Sequence, residues 1–432
     1  MTLVVYEHDL ITAEGTGSHP NRVPAHVFDW LEFQAYVEGD GSCQWLKPAR
    51  RNGARAVRVT SYAGVVRSPD GFQIEILPKT GRNTLDAEAR DLFVRMLACL
   101  PEFRSIRFQD ASLRTHQAPL LDIFIIHFLA SVDRLIRHGL RGGYSTERDE
   151  LRALRGKLLV GRHVRLNSIR RERFSVEYDE FRLDRPVNRL VRTALSRVGR
   201  LTSSGELHRT ARRLLMPFDG IPESLHVAQD FQSARIGRDM QRYEEPLAWS
   251  RLILQHLSPL MASGDHSAPS MLYPMEALFE AYVAKCLERK LPSGYRLQRQ
   301  ATSKYLATHN EANWFQLRPD MLLHGPEGLV AVLDTKWKLL DSSKSSRGEK
   351  YNMKEGDIYQ MYAYGHRYLG GAGELTLIYP KTDSFQVPVP PFEFPGHSNL
   401  RLSVLPFCTR AGELIAECAT LGIPGLNLGL KA

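Results

Sequence analysis

Three charged residues in the last third of the chain have the types and spacing that metal-assisted phosphodiester hydrolysis needs. Asp320 follows Arg318 and Pro319, and fourteen residues later Asp334 and Lys336 flank a threonine. Paired carboxylates suit Mg²⁺, which prefers oxygen ligands, acidifies a bound water and neutralises charge on the phosphate. A neighbouring ammonium group can position that water or stabilise the transition state. The pattern predicts a Mg²⁺ site at Asp320 and Asp334, in which Mn²⁺ can substitute, with Lys336 as a catalytic group.

Two predicted strands, Asn313–Leu323 and Gly328–Leu340, position these residues. Because side chains alternate between the faces of a strand, Asp334 and Lys336 project on the same side. A Gly/Pro turn joins the strands into a hairpin, across which Asp320 can reach that side. The second strand is otherwise apolar before Asp334, so burying charge at its end is costly, and a bound metal would offset that cost.

Two predicted helices flank the hairpin. The downstream helix, Gly356–Tyr368, carries polar residues at spacings of three and four beside an apolar face. The upstream helix, Met275–Lys290, carries two glutamates one turn apart. The polar residues of the two helices are Asp357, Gln360, Tyr364, Glu276 and Glu280.

The short pattern by itself also has plain structural interpretations. A proline and aspartate followed by D-x-K recurs by chance. Asp320 can be a turn residue, and Asp334 with Lys336 a surface ion pair. The apolar strand, the turn and the polar helix faces favour the catalytic interpretation over these alternatives.

The charge of the chain is unevenly distributed. The 432 residues carry a formal net charge of +9, yet Arg134–Arg213 alone holds 21 Lys and Arg against nine Asp and Glu. Nearly all of these cations are arginine, which suits bidentate contacts to phosphate. The segment is therefore expected to contact nucleic acid or an acidic partner surface; a solvated surface with internal ion pairs is the alternative.

The order of elements predicts a mixed α+β protein with three domains. Residues 1–130 read as a β-rich domain that contacts a partner, and residues 131–260 as a helical, arginine-rich region. Residues 261–432 follow a Ser/Gly/Pro-rich break and show an αβββαβ order, which predicts a mixed sheet flanked by helices. Five scattered cysteines without paired spacing indicate neither a disulfide framework nor a structural zinc.

The sequence lacks the motifs of several other functional classes. No G-x-x-x-x-G-K-[ST] motif is present, so the chain itself is not expected to bind a nucleotide. A G-x-S-x-G motif is also missing. The N-terminal residues do not resemble a signal peptide, and the apolar stretch Pro119–Ile136 contains charged residues. We therefore expect a cytoplasmic protein of a bacterium or archaeon without a membrane span.

Several motifs together resemble the PD-(D/E)XK nuclease superfamily and, more narrowly, the McrC family, the nuclease subunits of McrBC-type, modification-dependent (type IV) restriction systems. The C-terminal motifs are LFEAYV (278–283), RPDMLL (318–323), LDTKWK (333–338) and DIYQMYAY (357–364). The upstream ones are IEILPKTGR (74–82), LRGKLLVGRHVR (154–165) and RPVNRLVRTAL (185–195). None of the upstream motifs is diagnostic alone, but their order with the nuclease core is.

The resemblance implies a role for each site residue. Asp320 and Asp334 correspond to the metal-binding acids, and Lys336 to the catalytic lysine. Glu280 corresponds to a helix glutamate that can complete the metal shell, with Glu276 as the second choice. Gln360 and Tyr364 correspond to the Q-x-x-x-Y helix beside the site, where Asp357 is a further supporting residue for placing DNA.

The resemblance also implies a partner and a substrate. McrC proteins work with McrB, an AAA+ GTPase hexamer, and stimulate its GTP hydrolysis. The substrate would be double-stranded foreign DNA carrying modified cytosine such as 5-methylcytosine, cleaved in phage defence. Two alternatives remain at this point: a self-sufficient PD-(D/E)XK nuclease of repair or mobile elements, and a scaffold subunit without catalysis.

Overall fold

We analysed the chain as a computed structural model. It describes residues 2–14, 20–36, 45–79, 85–103, 105–106, 118–167, 169–170, 172–234, 237–256, 270–395 and 399–416. These residues form two compact units. The terminal unit comprises the described parts of Met1–Arg104 and Ser270–Ala432, and the middle unit those of Ser105–Gln109 and Ala118–Pro269.

The described residues form ten α-helices and twenty β-strands, so the protein has the mixed α+β class that its sequence predicts. The helices are α1 (Ala25–Tyr36), α2 (Asp86–Leu97), α3 (Leu120–Arg137), α4 (Val160–Asn167), α5 (Pro186–Leu201), α6 (Gly205–Leu215), α7 (Val227–Ser233), α8 (Glu244–Arg251), α9 (Met275–Lys290) and α10 (Glu355–Leu369). The strands are β1 (Thr2–Tyr6), β2 (Leu10–Ala13), β3 (Arg22–Val23), β4 (Leu46–Arg51), β5 (Ala54–Val59), β6 (Tyr62–Arg67), β7 (Gln73–Leu77), β8 (Gly143–Leu151), β9 (Lys157–Leu158), β10 (Phe174–Arg182), β11 (Ser270–Pro274), β12 (Arg296–Arg299), β13 (Lys304–His309), β14 (Ala312–Leu317), β15 (Met321–Gly325), β16 (Gly328–Thr335), β17 (Ala372–Pro380), β18 (Val389–Glu393), β19 (Asn399–Cys408) and β20 (Glu413–Leu414).

Both ends of the chain contribute to the terminal unit. Its N-terminal part holds two four-stranded sheets, ordered β1-β7-β6-β11 and β3-β2-β5-β4, around a core that includes Val5, Phe28 and Ile76. Strand β11 comes from far down the chain and pairs antiparallel with β6. From the sequence, residues 1–130 and 261–432 are predicted as separate domains. In the structure most residues of the two ranges belong to one compact unit, because strands such as β6 and β11 pair over a long sequence distance.

A seven-stranded mixed sheet forms the other part of the terminal unit, ordered β12-β15-β16-β17-β19-β18, with β20 paired to β19. Strand β16 lies between antiparallel β15 and parallel β17, and helix α10 connects the two parallel strands. Apolar residues of α10 and the sheet, among them Met361, Val332 and Leu377, form one buried cluster. This core fixes α10 against β16, the strand that carries Asp334.

The predicted strand Asn313–Leu323 is two strands in the structure. Strand β14 pairs with β13 in a separate two-stranded hairpin, and β15 joins the main sheet. The residues between them are Arg318, Pro319 and Asp320, and a proline cannot donate a ladder hydrogen bond, which explains the break there. The turn between β15 and β16 has the predicted hairpin geometry, with Gly325 opposite Gly328.

The middle unit holds helices α3 to α8 and a three-stranded antiparallel sheet ordered β8-β10-β9. The sequence predicts this region as helical, so the sheet is an addition to the expected architecture. Its long strands are rich in charged residues and bury only Ser175 and Val176, which gives little apolar alternation to reveal them. Among the residues that the structure describes, no helix is both long and apolar enough to cross a bilayer.

Several arginines of the middle unit form ion pairs within it. These pairs compensate part of the local positive charge, so the segment is less free to bind an external anion than its composition suggests. The pairs are Arg148–Glu177, Arg162–Glu150, Arg182–Glu147 and Arg134–Glu245.

Candidate active site

Asp334 is the buried centre of the candidate site. It is the penultimate residue of β16, follows five apolar residues and has only 1% of its surface exposed. Its Oδ2 atom lies 2.6 Å from the Nζ atom of Lys336. Burial and the nearby Asp320 carboxylate raise the pKa of Asp334 to about 7, although Lys336 acts in the opposite direction. The site therefore favours an additional positive charge beside this carboxylate.

Asp320 lies next to Asp334 across the hairpin. Met321 pairs with Leu333, and the same register places the preceding residue, Asp320, opposite Asp334. The Oδ2 atom of Asp320 accepts hydrogen bonds from the backbone nitrogen and the hydroxyl of Thr335, both at 2.7 Å. Burial raises the pKa of Asp320, against the lowering effect of these bonds. The two acids thus come together as the sequence predicts, and Thr335 orients one of them.

Lys336 is held by a chain of hydrogen bonds that begins on α10. Its Nζ atom donates to Gln360 Oε1 at 2.9 Å, and Gln360 Nε2 donates to the hydroxyl of Tyr364 at 2.7 Å. That hydroxyl donates to the carbonyl oxygen of Arg318 at 2.9 Å. Burial lowers the pKa of Lys336, but the adjacent carboxylates outweigh burial and raise it. The lysine is therefore a fixed cation, and the Q-x-x-x-Y residues fix its position.

Glu280 of α9 lies near Asp320. Burial and the Asp320 carboxylate raise its pKa to about 7. Gln300 donates a side-chain hydrogen bond to Glu280, and its backbone nitrogen donates to the carbonyl oxygen of Asp320 at 3.0 Å. Glu276, the second choice from the sequence, is exposed one turn away. Of the two glutamates, Glu280 is therefore the one whose pKa is affected by the acids of the site.

Sequence reasoning missed Gln300. It joins Glu280 to the backbone of Asp320 and adopts a φ angle of 48°, a conformation that side-chain-bearing residues seldom take. Its position just after β12 is the only local signal, and a single glutamine there carries no pattern.

Asp357 is placed differently from Gln360 and Tyr364. It is 8% exposed and accepts hydrogen bonds from Lys338 Nζ at 2.7 and 3.0 Å and from the hydroxyl of Tyr379 at 3.3 Å. The sequence places Asp357, Gln360 and Tyr364 on a polar face beside an apolar one; in the structure Tyr364 is buried and Tyr362 is exposed. The polar residues thus point inward, and Asp357 fixes the segment that follows Lys336.

An N-terminal carboxylate also reaches the segment that directly follows β16. Glu7 is 1% exposed, and its oxygens accept hydrogen bonds from Trp337 Nε1 at 2.9 and 3.1 Å and from the backbone nitrogen of Lys79 at 3.0 Å. Burial raises the pKa of Glu7 to about 8. Trp337 directly follows Lys336, so Glu7 anchors the backbone beside the candidate catalytic lysine. No sequence pattern links residues 330 positions apart.

Replacing Glu7 with leucine is expected to lower the free energy of unfolding by about 1–3 kcal/mol, because the Trp337 and Lys79 donors lose their partner in a buried place. Glu7→Gln should cost less, since the amide oxygen still accepts and the pKa of about 8 leaves the native group largely neutral at pH 7. Urea denaturation of the full chain measures both. Equal losses in the two variants would contradict this role.

The donor set fits a hard divalent cation. Asp320 and Asp334 offer adjacent carboxylates whose pKa values are both raised, and Mg²⁺ commonly binds one or two carboxylates and keeps several waters. Among the described residues, no group of three or more His, Cys, Asp or Glu has an arrangement that holds a metal by itself. A metal here would thus depend on water or substrate oxygens for its remaining ligands.

The fold and the site together define a class: a mixed α+β protein whose helix-flanked sheet carries paired acids and a lysine. A family model described as McrBC 5-methylcytosine restriction system component matches residues 57–380. Because this match spans most of the sequence, the chain belongs to that McrBC component family. No curated protein matches the chain.

Two solved structures share the fold. One is a refined half-complex from a tetradecameric assembly of Thermococcus gammatolerans McrB AAA+ hexamers with bound McrC; the similarity has a TM-score of 0.69 and 19% identity and covers 94% of both chains. The other is the cryo-EM structure of the Thermococcus gammatolerans McrBC complex, with a TM-score of 0.52 and 21% identity over 68% of this chain and 89% of that one. At these identities the likeness concerns the fold.

Proposed function

We propose that this chain is the nuclease subunit of a McrBC-type restriction system and cleaves DNA by metal-dependent phosphodiester hydrolysis. The observation that carries the proposal is the buried Asp334 next to the half-buried Asp320, with Lys336 fixed 2.6 Å from Asp334. A scaffold without catalysis has no need of a buried carboxylate whose pKa is raised to about 7.

Asp320 and Asp334 would hold Mg²⁺ or Mn²⁺ together with waters. Glu280 at the edge of the site would add a third oxygen only after its side chain moves, because the three acids do not form a ready ligand group in the described structure. The bound ion would supply an acidified water and neutralise charge on the phosphate. Lys336 is positioned to donate a hydrogen bond to a phosphate oxygen, and Gln360 and Tyr364 keep its ammonium group in place. Such fixed donors stabilise charge that develops in the transition state.

The partner and the substrate follow from the family and its structural neighbours. The family description names 5-methylcytosine restriction, and the neighbour with the TM-score of 0.69 contains McrB AAA+ hexamers with bound McrC. By analogy we propose that this chain binds an AAA+ GTPase hexamer, stimulates its GTP hydrolysis and cuts methylated double-stranded DNA with it. The predicted lack of a nucleotide site in this chain fits that division of labour.

Cleavage assays test the proposal. Methylated plasmid DNA, Mg²⁺ and GTP are incubated with the full chain, with its AAA+ partner, and with both. We expect DNA cleavage only when the chain and its AAA+ partner are both present. Cutting by the chain alone would favour the self-sufficient nuclease, and the absence of cutting in every mixture would overturn the assignment.

The affinity for Mn²⁺ is expected to rise with pH and then level off. The pKa values of Asp334 and Glu280 are raised to about 7, so below that pH a metal must displace protons from them. The apparent affinity should therefore increase about tenfold per pH unit for each displaced proton up to about pH 7 and change little above it. Isothermal titration calorimetry with the full chain measures this dependence.

Two variants serve as controls for the metal titration. Asp334→Asn should weaken the pH dependence because one of the two titrating carboxylates is gone. Glu327→Gln removes an exposed carboxylate at the tip of the same hairpin and should leave it unchanged. A pH-independent affinity in the unaltered chain would contradict the proposed ligands.

A further inference from the structure

The hairpin β13–β14 forms a two-stranded ribbon outside the main sheet. Its strands meet at a tight turn in which Asn310 and Glu311 have φ angles of 49° and 63°. Positive φ at both central residues is typical of the type I′ turn, which matches the twist of a hairpin. Most side chains of both strands are exposed.

Large apolar side chains of this ribbon face solvent. Leu306, Trp314 and Phe315 are 50%, 48% and 68% exposed. Phe315 also has a φ angle of 57° in the middle of its strand, a strained conformation for a bulky residue. Neither the exposure nor the strain benefits the isolated fold, and strain retained at an exposed aromatic residue is a common mark of a binding element.

The base of the ribbon is joined to the catalytic residues. Gln316 Oε1 accepts from the guanidinium of Arg318 at 2.8 and 3.0 Å, and the carbonyl oxygen of Arg318 accepts from Tyr364. Arg367 of α10 donates to the carbonyl oxygen of Tyr305 at 2.7 Å. The ribbon is thereby fixed to the helix that holds Gln360, and its second strand ends three residues before Asp320.

The charges of the ribbon suit a polyanion next to the site. Lys304, Arg318 and Arg367 are exposed around its base, and Glu311 at the tip is the one acid of β13, β14 and their turn. DNA presents a phosphate backbone to such cations, and its major groove, about 12 Å wide, admits a two-stranded β-ribbon.

We propose that the β13–β14 ribbon enters a groove of the DNA bound at the active site, with Trp314 and Phe315 against the bases and the basic residues of its base against phosphates. This inference rests on the proposed nuclease function. It assigns the exposed aromatic residues to duplex DNA, not to the AAA+ partner or to a second copy of the chain.

The test measures DNA affinity separately from cleavage. The full chain carrying Asp334→Asn is titrated into a fluorescein-labelled methylated duplex in low-salt buffer with Mg²⁺, and fluorescence anisotropy is recorded. Adding Trp314→Ala and Phe315→Ala should weaken binding on the order of 10- to 100-fold, as expected when two aromatic side chains are no longer buried in the groove. Tyr36→Ala, which truncates a 65% exposed aromatic residue on α1, should not weaken it.

The outcomes separate this inference from the proposed function. If the Asp334→Asn chain binds no DNA either alone or with its AAA+ partner and GTP, the nuclease assignment itself fails. If that chain binds DNA and the Trp314/Phe315 variant binds equally well, only the role of the ribbon is overturned. The Trp314/Phe315 variant is also tested for stimulation of GTP hydrolysis by the AAA+ partner and for self-association. If its DNA affinity is unchanged and it no longer stimulates GTP hydrolysis, the ribbon contacts the AAA+ partner and not DNA. If its DNA affinity is unchanged and it no longer self-associates, the ribbon contacts a second copy of the chain and not DNA.

Phe315→Gly gives a second, independent measurement. Glycine adopts a positive φ angle without strain, so this variant should unfold at an equal or higher temperature than the unaltered chain. Its DNA affinity should nevertheless fall. Loss of both stability and affinity would indicate that Phe315 serves only the fold.

Discussion

Asp334→Asn is expected to abolish DNA cleavage while the chain stays folded. The substitution removes the buried ligand of the proposed metal and the carboxylate that holds Lys336. Loss of a single preorganised transition-state donor costs 10²–10³-fold in other enzymes, so losing the ligand and the lysine's partner should exceed about 10³-fold. Because burial raises the pKa of Asp334 to about 7, a neutral amide in its place should not destabilise the metal-free fold at pH 7.

Single-turnover cleavage with the AAA+ partner measures the loss, and thermal unfolding and stimulation of GTP hydrolysis check that folding and assembly are intact. Glu327→Gln, the same chemical change at the exposed hairpin tip, should cleave normally. An Asp334→Asn chain that still cuts DNA at a substantial rate would disprove the assigned site.

Lys336→Met is expected to separate metal binding from catalysis. Removing the ammonium group should lower the cleavage rate by about 10²–10³-fold, because no other group replaces this fixed donor. Affinity for Mn²⁺ should hold or increase, since the competing cation 2.6 Å from Asp334 is gone. Without metal, the Lys336→Met chain should have a lower free energy of unfolding than the unaltered chain at neutral pH, because Asp320 and Asp334 then have no cation beside them.

Calorimetry, single-turnover cleavage and urea denaturation give the three readouts. Lys285→Met, an exposed lysine on α9, is the matched control and should change none of them. Weakened Mn²⁺ binding in Lys336→Met would indicate that the lysine organises the metal ligands, contrary to the proposed division of roles.

Local patterns in the sequence predict the core of the site well. Helix α9 has the predicted bounds, because its apolar residues repeat at helical spacing after a proline. Strand alternation places Asp334 and Lys336 on one side, and the ion pair between them agrees with this. The hairpin turn, together with a one-residue register shift between Leu323 and His324, brings Asp320 opposite Asp334. All of these relations lie within a few residues or across one turn.

Relations between distant residues could not be predicted in this way. The hydrogen bonds from Trp337 to Glu7 and from Gln300 to Glu280 depend on tertiary packing. No local pattern of apolar and polar residues predicts them. The strand predicted over Asn313–Leu323 is divided because Pro319 interrupts the ladder and the exposed hairpin β13–β14 buries neither of its faces. The sheet of the middle unit was not predicted for a similar reason: its long strands are rich in charged residues and bury only two side chains.

The pairing of β6 with β11 has a consequence for the synthesis of the protein. The ribosome must add about 200 residues after β6 before β11 exists, which takes ~10–40 s at typical elongation rates. The backbone of Lys336 then needs Ile378 as its hydrogen-bond acceptor. The N-terminal sheet therefore gains its β11 edge, and the proposed active site its support at Lys336, only after the last third of the chain has begun to emerge.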